Sequence, residues 1–327
     1  MRNVIKAGFI WCGILLSLVC NAQVHPPLGA LPMQFNGSFA GEAGVPRLSL
    51  NSSYFWERVI SYRESSLYTS DLSYDQFIPG IRSGVGLTVG GHKFFRTFQQ
   101  PSNQEEVVQS YHVTLAVAPK ISIKGKYTLS PSISVQYFER NLVSEEPQTA
   151  AATLRVKGVA SQFGLLWNTP KYYIGYSFNG FGYTNSKGEI LSHGDTILVT
   201  NANLPYYFTS RLQAGYTFQR SSESDFSITP QVVILLTDRF RYSEESLFSR
   251  YVEAYNLNFR YKQFIWGVNN AGIHVGLQTE RLRFMLTNDN GYFHGINRRS
   301  SSGRDSYIGN FSLRYLLRDP SLKENHY

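Results

Sequence analysis

Residues 126–140, with the sequence KYTLSPSISVQYFER, alternate between apolar and polar side chains. A period of two places the apolar set on one face of a β-strand and the polar set on the opposite face. The apolar face carries Tyr127, Leu129, Pro131, Ile133, Val135 and Tyr137. The segment exceeds the usual globular strand of about 5–6 residues. About 9–11 residues with an apolar outer face, a polar inner face and aromatic side chains at both ends are typical of an outer-membrane β-barrel strand.

Two later segments repeat this pattern. In residues 208–219 the apolar parity runs from Phe208 to Phe218, and in residues 307–317 it runs from Tyr307 to Leu317. Each segment has an arginine in mid-strand on the polar parity, Arg211 in the first and Arg314 in the second. On the wet face of a soluble sandwich such an arginine is ordinary, whereas in a barrel it points into a hydrated lumen.

We predict about fourteen strands by the same criteria. They cover residues 46–57, 65–77, 83–95, 110–119, 126–140, 158–168, 171–183, 206–219, 226–237, 250–261, 264–269, 271–278, 281–287 and 306–317. Around Asn269-Asn270-Ala271-Gly272 the sequence fits either a turn between two strands or a bulge within one.

The predicted connections alternate in length. Those after even-numbered strands are short, and most of those after odd-numbered strands are long and polar. The long ones are residues 96–109, 141–157, 187–205, 238–249 and 288–305. Short periplasmic turns alternating with long outer loops are the topology of an outer-membrane barrel, and a soluble sandwich has no reason to sort its loops in this way. The sequence therefore predicts an all-β, antiparallel transmembrane barrel in the outer membrane, with both mature termini in the periplasm.

The N-terminus predicts export. Arg2 and Lys6 precede the apolar run 7–19, and small residues before Gln23 place signal cleavage after Ala22. An uncleaved anchor and lipidation at Cys20 are the alternatives. Cleavage would remove both cysteines of the chain, so the mature protein would have neither a disulfide framework nor a thiolate metal site.

The predicted organisation has four parts. Residues 1–22 are the signal peptide, residues 23–45 an N-terminal periplasmic or plug-like segment, residues 46–318 the barrel, and residues 319–327 a periplasmic tail. The segment 23–45 is rich in Pro, Gly and Ala and does not alternate. It is therefore either a disordered leader or a segment that folds into the barrel mouth.

No motif predicts catalysis, a cofactor or a metal. The histidines are scattered, without a pair at metal-ligand spacing. They include His25, His92, His112, His193, His274 and His294. Serines are abundant, but no recognisable Ser-His motif accompanies them. Gly84-Val85-Gly86 lies within a predicted strand and is not followed by a helix, so small lumen residues or relief at a bend explain it better than a nucleotide site.

Charged residues on the inner parity are the candidate lumen contacts. They are Asp71, Asp75, Arg211, Arg260, Arg283 and Arg314. They either pair across the wet lumen in the ordinary way or bind a plug or a client segment. In the predicted outer loop 288–305, Arg298, Arg299 and Arg304 are candidate contacts for lipopolysaccharide phosphates or a surface partner, and a merely solvated loop is the alternative. The export signal argues against nucleic acid as the reason for the net charge of +8.

The region Phe35 to Leu87 resembles the PorP/SprF family of outer-membrane proteins from the Bacteroidota type IX secretion and gliding systems. The similar elements are Phe35-Asn36-Gly37-Ser38-Phe39-Ala40-Gly41, Tyr54-Phe55-Trp56, Ser73-Tyr74-Asp75-Gln76-Phe77-Ile78-Pro79 and Gly84-Val85-Gly86-Leu87. Gly37 stands where the family usually has proline, and the basic residue often found before the tryptophan is absent.

The resemblance implies a fourteen-stranded barrel without enzymatic activity that docks or anchors the C-terminal domain of a secreted cargo protein at the cell surface. The implied partners are outer-membrane lipid, that cargo and other type IX components. The alternative is a porin for small polar solutes. A barrel of this size lies between small filled barrels and open 16–18-stranded porins, so whether a segment fills the interior decides between the two.

Overall fold

The computed structural model describes residues 32–59, 63–98, 105–145, 150–192, 195–200, 209–219, 224–237, 252–269, 272–289 and 304–317. Helical turns occur at Pro32–Phe35 (α1), Gly37–Phe39 and Pro79–Ile81. The strands are β1 Arg47–Val59, β2 Arg63–Ile78, β3 Ser83–Phe98, β4 Glu105–Pro119, β5 Ile121–Ile123, β6 Tyr127–Glu145, β7 Ala150–Asn168, β8 Tyr172–Ser192, β9 Asp195–Thr200, β10 Thr209–Tyr216, β11 Phe218–Gln219, β12 Phe226–Thr237, β13 Val252–Tyr261, β14 Phe264–Asn269, β15 Gly272–Gln278, β16 Leu282–Asp289 and β17 Arg304–Leu316.

These segments form one closed antiparallel barrel. The first strand, β1, pairs with both β2 and β17, so the sheet has no open edge at the point of closure. The segments β4 and β5 both pair with β6, while β9 and β10 both pair with β8, and β10 and β11 both pair with β12. The segments β4 and β5 therefore make up one barrel strand, and β9, β10 and β11 make up another. The seventeen segments thus form fourteen barrel strands. The predicted fold and strand number are confirmed.

The region of residues 264–278 contains two strands. Phe264 to Asn269 pairs antiparallel with Gly272 to Leu277, and the pairing continues to the residues that flank the connection. The prediction of a turn between two strands is therefore confirmed, and the alternative of a bulge within one strand is wrong.

The two ends of the barrel differ. Arg47 and Leu316, the ends of β1 and β17, lie opposite each other at one end, here called the short-turn end. At the other end, here called the hairpin end, several strands continue beyond the predicted bounds. The strand β6 reaches Glu145, and β8 reaches Ser192. Residues 146–149 separate β6 from β7, and residues 193–194 separate β8 from β9.

The long loops predicted at 96–109, 141–157 and 187–205 are thus wrong in their bounds, because much of each is strand. Beyond the lipid both faces of a strand meet water, so the alternation that reveals a membrane strand stops although the backbone ladder continues. Residues 238–249 and most of 288–305 lie outside the described residues, as do the predicted signal at 1–22 and the predicted tail at 319–327.

The outer face of the barrel is an apolar band with aromatic borders. Leu115, Ile133 and Val275 are among its exposed side chains, at 57%, 48% and 55%. Near the short-turn end Tyr127 stacks on Trp167, with ring centroids 5.5 Å apart. Ten residues separate Tyr127 from Tyr137; at about 3.3 Å per residue and a tilt of about 40° they span about 25 Å, the height of the apolar band of a membrane barrel. In the described part of the chain, no helix is long and apolar enough to cross a membrane.

The inner face is polar and built from small residues. On β6 Ser130, Ser132 and Ser134 are buried, and on β1 Ser49 and Asn51 are buried. Their parity is opposite to that of the exposed apolar side chains. The period-two pattern of the sequence therefore separates lipid from lumen as predicted.

A charge placed on the lipid face tests this orientation. We expect Ile133→Arg to destabilise the barrel in lipid vesicles by about 2–4 kcal/mol, because the guanidinium would lie near the bilayer midplane. Denaturant unfolding in vesicles measures the change. The control is Gln136→Arg, since Gln136 lines an interior cavity on the same strand. A larger loss of stability in the control than in Ile133→Arg would contradict the assignment of the two faces.

Candidate functional site

The described part of the N-terminal segment, residues 32–45, lies inside the barrel and is called the plug below. Met33, Phe35 and Phe39 are 6%, 4% and 8% exposed, and Asn36 and Ser38 are fully buried. The plug packs against β3, β4, β6 and β7. The ring of Phe39 also meets Tyr173 of β8 edge-on, with centroids 5.3 Å apart. Residues 23–31 lie outside the described residues.

Local sequence chemistry shapes the plug. Pro32 begins α1, and proline fits the first turn of a helix because its missing N–H would have no partner there. Asn36 then caps the following 3₁₀ turn by accepting a hydrogen bond from the Ser38 N–H at 2.9 Å. After this turn the chain bends at Gly41 and Gly44, whose φ angles are 68° and 70°. Glycine adopts such angles without strain.

Amide side chains connect the plug to the barrel wall. The Asn36 Nδ2 donates to the carbonyl oxygens of Leu165 at 3.3 Å and Tyr176 at 3.2 Å. Gln162 of β7 accepts from the Gly37 N–H at 3.1 Å and donates to the Phe35 carbonyl at 3.2 Å. Buried plug backbone is thereby satisfied by the wall, as buried polar groups require.

A buried ion pair anchors the end of the plug. Asp75 of β2 is fully buried, and its Oδ1 accepts from the Gly41 N–H at 2.8 Å. Arg47 donates to both carboxylate oxygens, at 2.7 Å from Nε and 3.1 Å from Nη2. Its Nη2 is also 3.3 Å from the Phe39 carbonyl. This two-point geometry is the strongest form of the arginine–carboxylate pair.

A second charged group holds the middle of the plug. The Lys120 Nζ, between β4 and β5, donates to the Ser38 carbonyl at 2.9 Å and to Glu42 Oε2 at 3.0 Å. The other carboxylate oxygen of Glu42 accepts from Asn168 of β7. The lysine is 6% exposed, so its charge is matched inside the barrel.

Glycine and serine make room for the plug in the wall. A Cβ on Gly84 would overlap the Ala40 carbonyl group, and a Cβ on Gly164 would overlap the Asn36 side chain. Ser132 Oγ lies 2.8 Å from Ser38 Oγ. The glycines near residue 84, which the sequence explained as small lumen residues or bend relief, therefore include the point of close approach to the plug.

A polar cavity of about 180 Å³ lies beside the plug on its hairpin side. Its lining includes Met33, Gln34, His112, Gln136, Gln162 and Asn179. Asp71 of β2 is 5% exposed, and its Oδ1 lies 3.2 Å from His112 Nε2. Of the two predicted aspartates, Asp75 thus contacts the plug and Asp71 pairs within the wall.

The predicted arginines lie elsewhere. Arg260, Arg283 and Arg314 share the lumen parity near the short-turn end, and Arg211 donates to Thr209 Oγ1 at 3.4 Å on β10. Arg298 and Arg299 lie outside the described residues, and Arg304 begins β17 opposite Val59. Among the described residues, no group of three His, Cys, Asp or Glu side chains could hold a metal ion.

Sequence reasoning missed Arg47, Lys120 and Glu42 as site residues. Arg47 shares the parity of Ser49 and Asn51, so the strand pattern could have identified it as a lumen residue. Lys120 lies in a predicted short turn and Glu42 in a segment without periodicity. Strand parity therefore could not identify either of them as a lumen residue.

Solved structures of outer-membrane barrels resemble this fold. The toluene transporter TbuX of Ralstonia pickettii has a TM-score of 0.56 and 10% identity, over 92% of this chain and 99% of that chain. The monoaromatic hydrocarbon channel CymD has a TM-score of 0.52 and 12% identity, over 90% of this chain and 94% of that chain. At such identities the likeness shows the fold alone. No curated protein matches the chain.

The family to which the chain belongs is shown by a match to a sequence profile. The profile of the type IX secretion system membrane protein PorP/SprF matches residues 30–301, which contain the plug and most of the barrel. The resemblance seen in the region Phe35 to Leu87 is confirmed by this longer match. The chain therefore belongs to the PorP/SprF family of type IX secretion system membrane proteins.

Proposed function

We propose that this protein is a non-enzymatic outer-membrane component of type IX secretion that docks the C-terminal domain of a secreted cargo protein at the cell surface. Residues 1–22 are removed on export, the short-turn end with both mature termini faces the periplasm, and the hairpin end faces outward. Membership of the family supports the secretion role. The observation that carries the docking role is the plug, because it makes the barrel a closed frame.

The plug opposes the alternative function, a porin for small polar solutes. Its residues are buried against the inner wall from β3 to β8. A solute would have to cross a segment held by the Asp75–Arg47 pair and by Lys120. The interior of a fourteen-stranded barrel is narrower than that of open 16–18-stranded porins, so a folded segment inside it leaves a solute less room.

The hairpin end offers a surface for cargo. The strand β8 has 21 residues, and about 9–11 cross a bilayer. The remaining residues extend it by roughly 35 Å along the strand at about 3.3 Å per residue. Together with β6, β7 and β9, this extension forms a sheet that projects beyond the apolar band.

Among the described strands, β9 is the last one of this sheet, and its outer edge is called the free edge below. In the described part of the chain, β9 pairs with β8 alone. Its sequence, DTILVT, contains three consecutive apolar β-formers and no lysine, arginine or proline. Such an edge lacks the lysines and prolines by which many proteins prevent strand addition. We propose that the cargo domain adds a strand to this edge, since main-chain hydrogen bonds supply affinity in that binding mode.

Removing the anchor tests the closed frame. We expect the natural barrel to be silent in planar lipid bilayers and Asp75→Ala to show channel openings, because the Gly41 N–H of the plug loses its acceptor on the wall. The same variant should lose about 3–5 kcal/mol of stability, since Arg47 remains buried without its partner. Bilayer recordings and denaturant unfolding measure the two effects.

The control is Asp71→Ala. Asp71 is buried on the same strand and the same face, but its ion partner is His112. This variant should remain silent. A steady open channel in the natural protein would contradict the closed frame.

A second test adds a side-chain carbon at Gly84, where the plug packs against the wall. A Cβ on Gly84 overlaps Ala40, whereas a Cβ on Gly80 meets nothing within 4 Å. Ser38→Cys supplies a buried thiol as the reporter, and the only native cysteines are Cys12 and Cys20. We expect Gly84→Ala to raise the rate of maleimide labelling by about tenfold or more, through local opening of the plug. Gly80→Ala should leave the rate unchanged, and equal rates in both variants would show that the plug is not seated on Gly84.

Lysines on the free edge test docking. Deleting the gene in its host identifies the surface protein that depends on it, and the purified C-terminal domain of that protein is titrated with the purified barrel. We expect the double variant Ile197→Lys, Val199→Lys to weaken binding by at least about tenfold, because edge charges oppose strand addition.

The matched control is Ala152→Lys, Leu154→Lys. Ile197 and Val199 lie opposite Ile190 and Gly188 of β8, which lie opposite Ala152 and Leu154 of β7. The control thus adds the same charge at the same height on a strand paired at both edges, and it should bind normally. Equal binding by both double variants would reject the edge as the docking site.

A further inference from the structure

A row of inward-facing arginines lines the short-turn end of the barrel. Arg260 of β13, Arg283 of β16, Arg314 of β17 and Arg47 of β1 form this arginine row. Each shares the parity of buried inner-wall residues, which are Asn258, Met285, Ser312 and Ser49 on the respective strands. Arg260 is the residue before the last of β13, and Arg283 is the second of β16. The row therefore lies at the mouth of the lumen.

The arginines follow one another around the wall. Arg283 lies directly opposite Arg314 in the β16–β17 ladder, and Arg314 lies opposite Ser49, two residues from Arg47. Adjacent strands are about 4.8 Å apart, so the path from β13 to β1 is about 24 Å along the sheet. Arg314 lies within reach of the charges of both Arg283 and Arg47.

The members of the row differ in their partners. Arg47 is paired with Asp75. Among the described residues, no carboxylate lies within ion-pair distance of Arg260, Arg283 or Arg314. The Arg260 Nε is buried without a hydrogen-bond partner, and the Arg283 Nε donates to the weak acceptor Met285 Sδ at 3.2 Å.

This arrangement favours the binding of anions. A guanidinium keeps its charge under all ordinary conditions, so neighbouring arginines cannot relieve their repulsion by losing a proton. Their planar donors fit carboxylate oxygens, and the Arg47–Asp75 pair shows this geometry within the row itself. Arg260, Arg283 and Arg314 are half-buried, so part of each side chain remains exposed.

We propose that the arginine row binds an acidic peptide segment that enters the barrel from the short-turn end. The length of the row favours a peptide over a single small anion, because a chain with several carboxylates can engage arginines on separate strands. This inference goes beyond cargo docking at β9, since it assigns a ligand to the opposite end of the molecule.

The test is a binding titration with a defined probe. A fluorescently labelled hexa-aspartate peptide with blocked termini is titrated with the purified full-length barrel in detergent, and its anisotropy is followed. We expect saturable binding that weakens with added salt. The double variant Arg283→Gln, Arg314→Gln should bind at least about tenfold more weakly, through loss of two charge-assisted contacts. Heat-modified gel migration verifies that each variant is folded.

The controls separate this site from general charge attraction. Lys126→Gln, Lys171→Gln removes two exposed positive charges at the same end of the barrel and should leave the affinity unchanged. An uncharged hexa-asparagine peptide should not bind. Equal weakening by both double variants would overturn the proposal, as would displacement of the peptide by equimolar inorganic phosphate, which would indicate a simple ion site. Because the β9 variants do not alter the arginine row, failure here is distinguishable from failure of cargo docking.

Discussion

The interior of this barrel depends on the carboxylate of Asp75. It joins the backbone of Gly41 in the plug to the guanidinium of Arg47 at the start of β1, and it projects from β2. One buried group therefore connects the N-terminal segment to the first two strands. Because the pair is enclosed, loss of either partner leaves an uncompensated charge in the interior, which is far more costly than loss of an exposed ion pair. The plug is thus held by a specific contact in addition to its apolar packing.

Three of the four segments that carry the family resemblance meet at this contact. Residues 35–41 form the body of the plug, residues 73–79 contain Asp75, and residues 84–87 contain the glycine against which Ala40 packs. They are separate along the chain but adjacent in the lumen. A segment can fit inside a closed barrel only where the wall carries small side chains. The plug, the Asp75 that anchors it and the Gly84 against which it packs therefore act as one tertiary unit. This is the physical reason why these separate segments lie together inside the barrel.

The walls of the barrel were predictable, whereas the ends of its strands were not. Alternation at Tyr127 to Tyr137 identified the lipid and lumen faces, because only one face meets lipid. Beyond Arg140 the alternation stops, yet β6 continues to Glu145 through pairing with β4 and β7. The projecting sheet and the edge of β9 were therefore hidden in what the sequence presents as polar loops. Backbone pairing holds them, and backbone pairing leaves no periodic trace where both faces are wet.

The sequence by itself determined the barrel, its strand number and its family, because each rests on patterns within a strand or a short motif. Only the tertiary structure decided where residues 32–45 lie, which is against the inner wall of the barrel. The contacts that hold residues 32–45 join groups up to 140 positions apart, such as Asn36 and Tyr176, and involve Lys120 and Glu42, which follow no local pattern. The arginine row likewise becomes apparent only in the closed barrel, where β13, β16, β17 and β1 bring their arginines to the same end of the lumen. Local chemistry fixes which face a side chain occupies, and closure of the sheet fixes what it meets there.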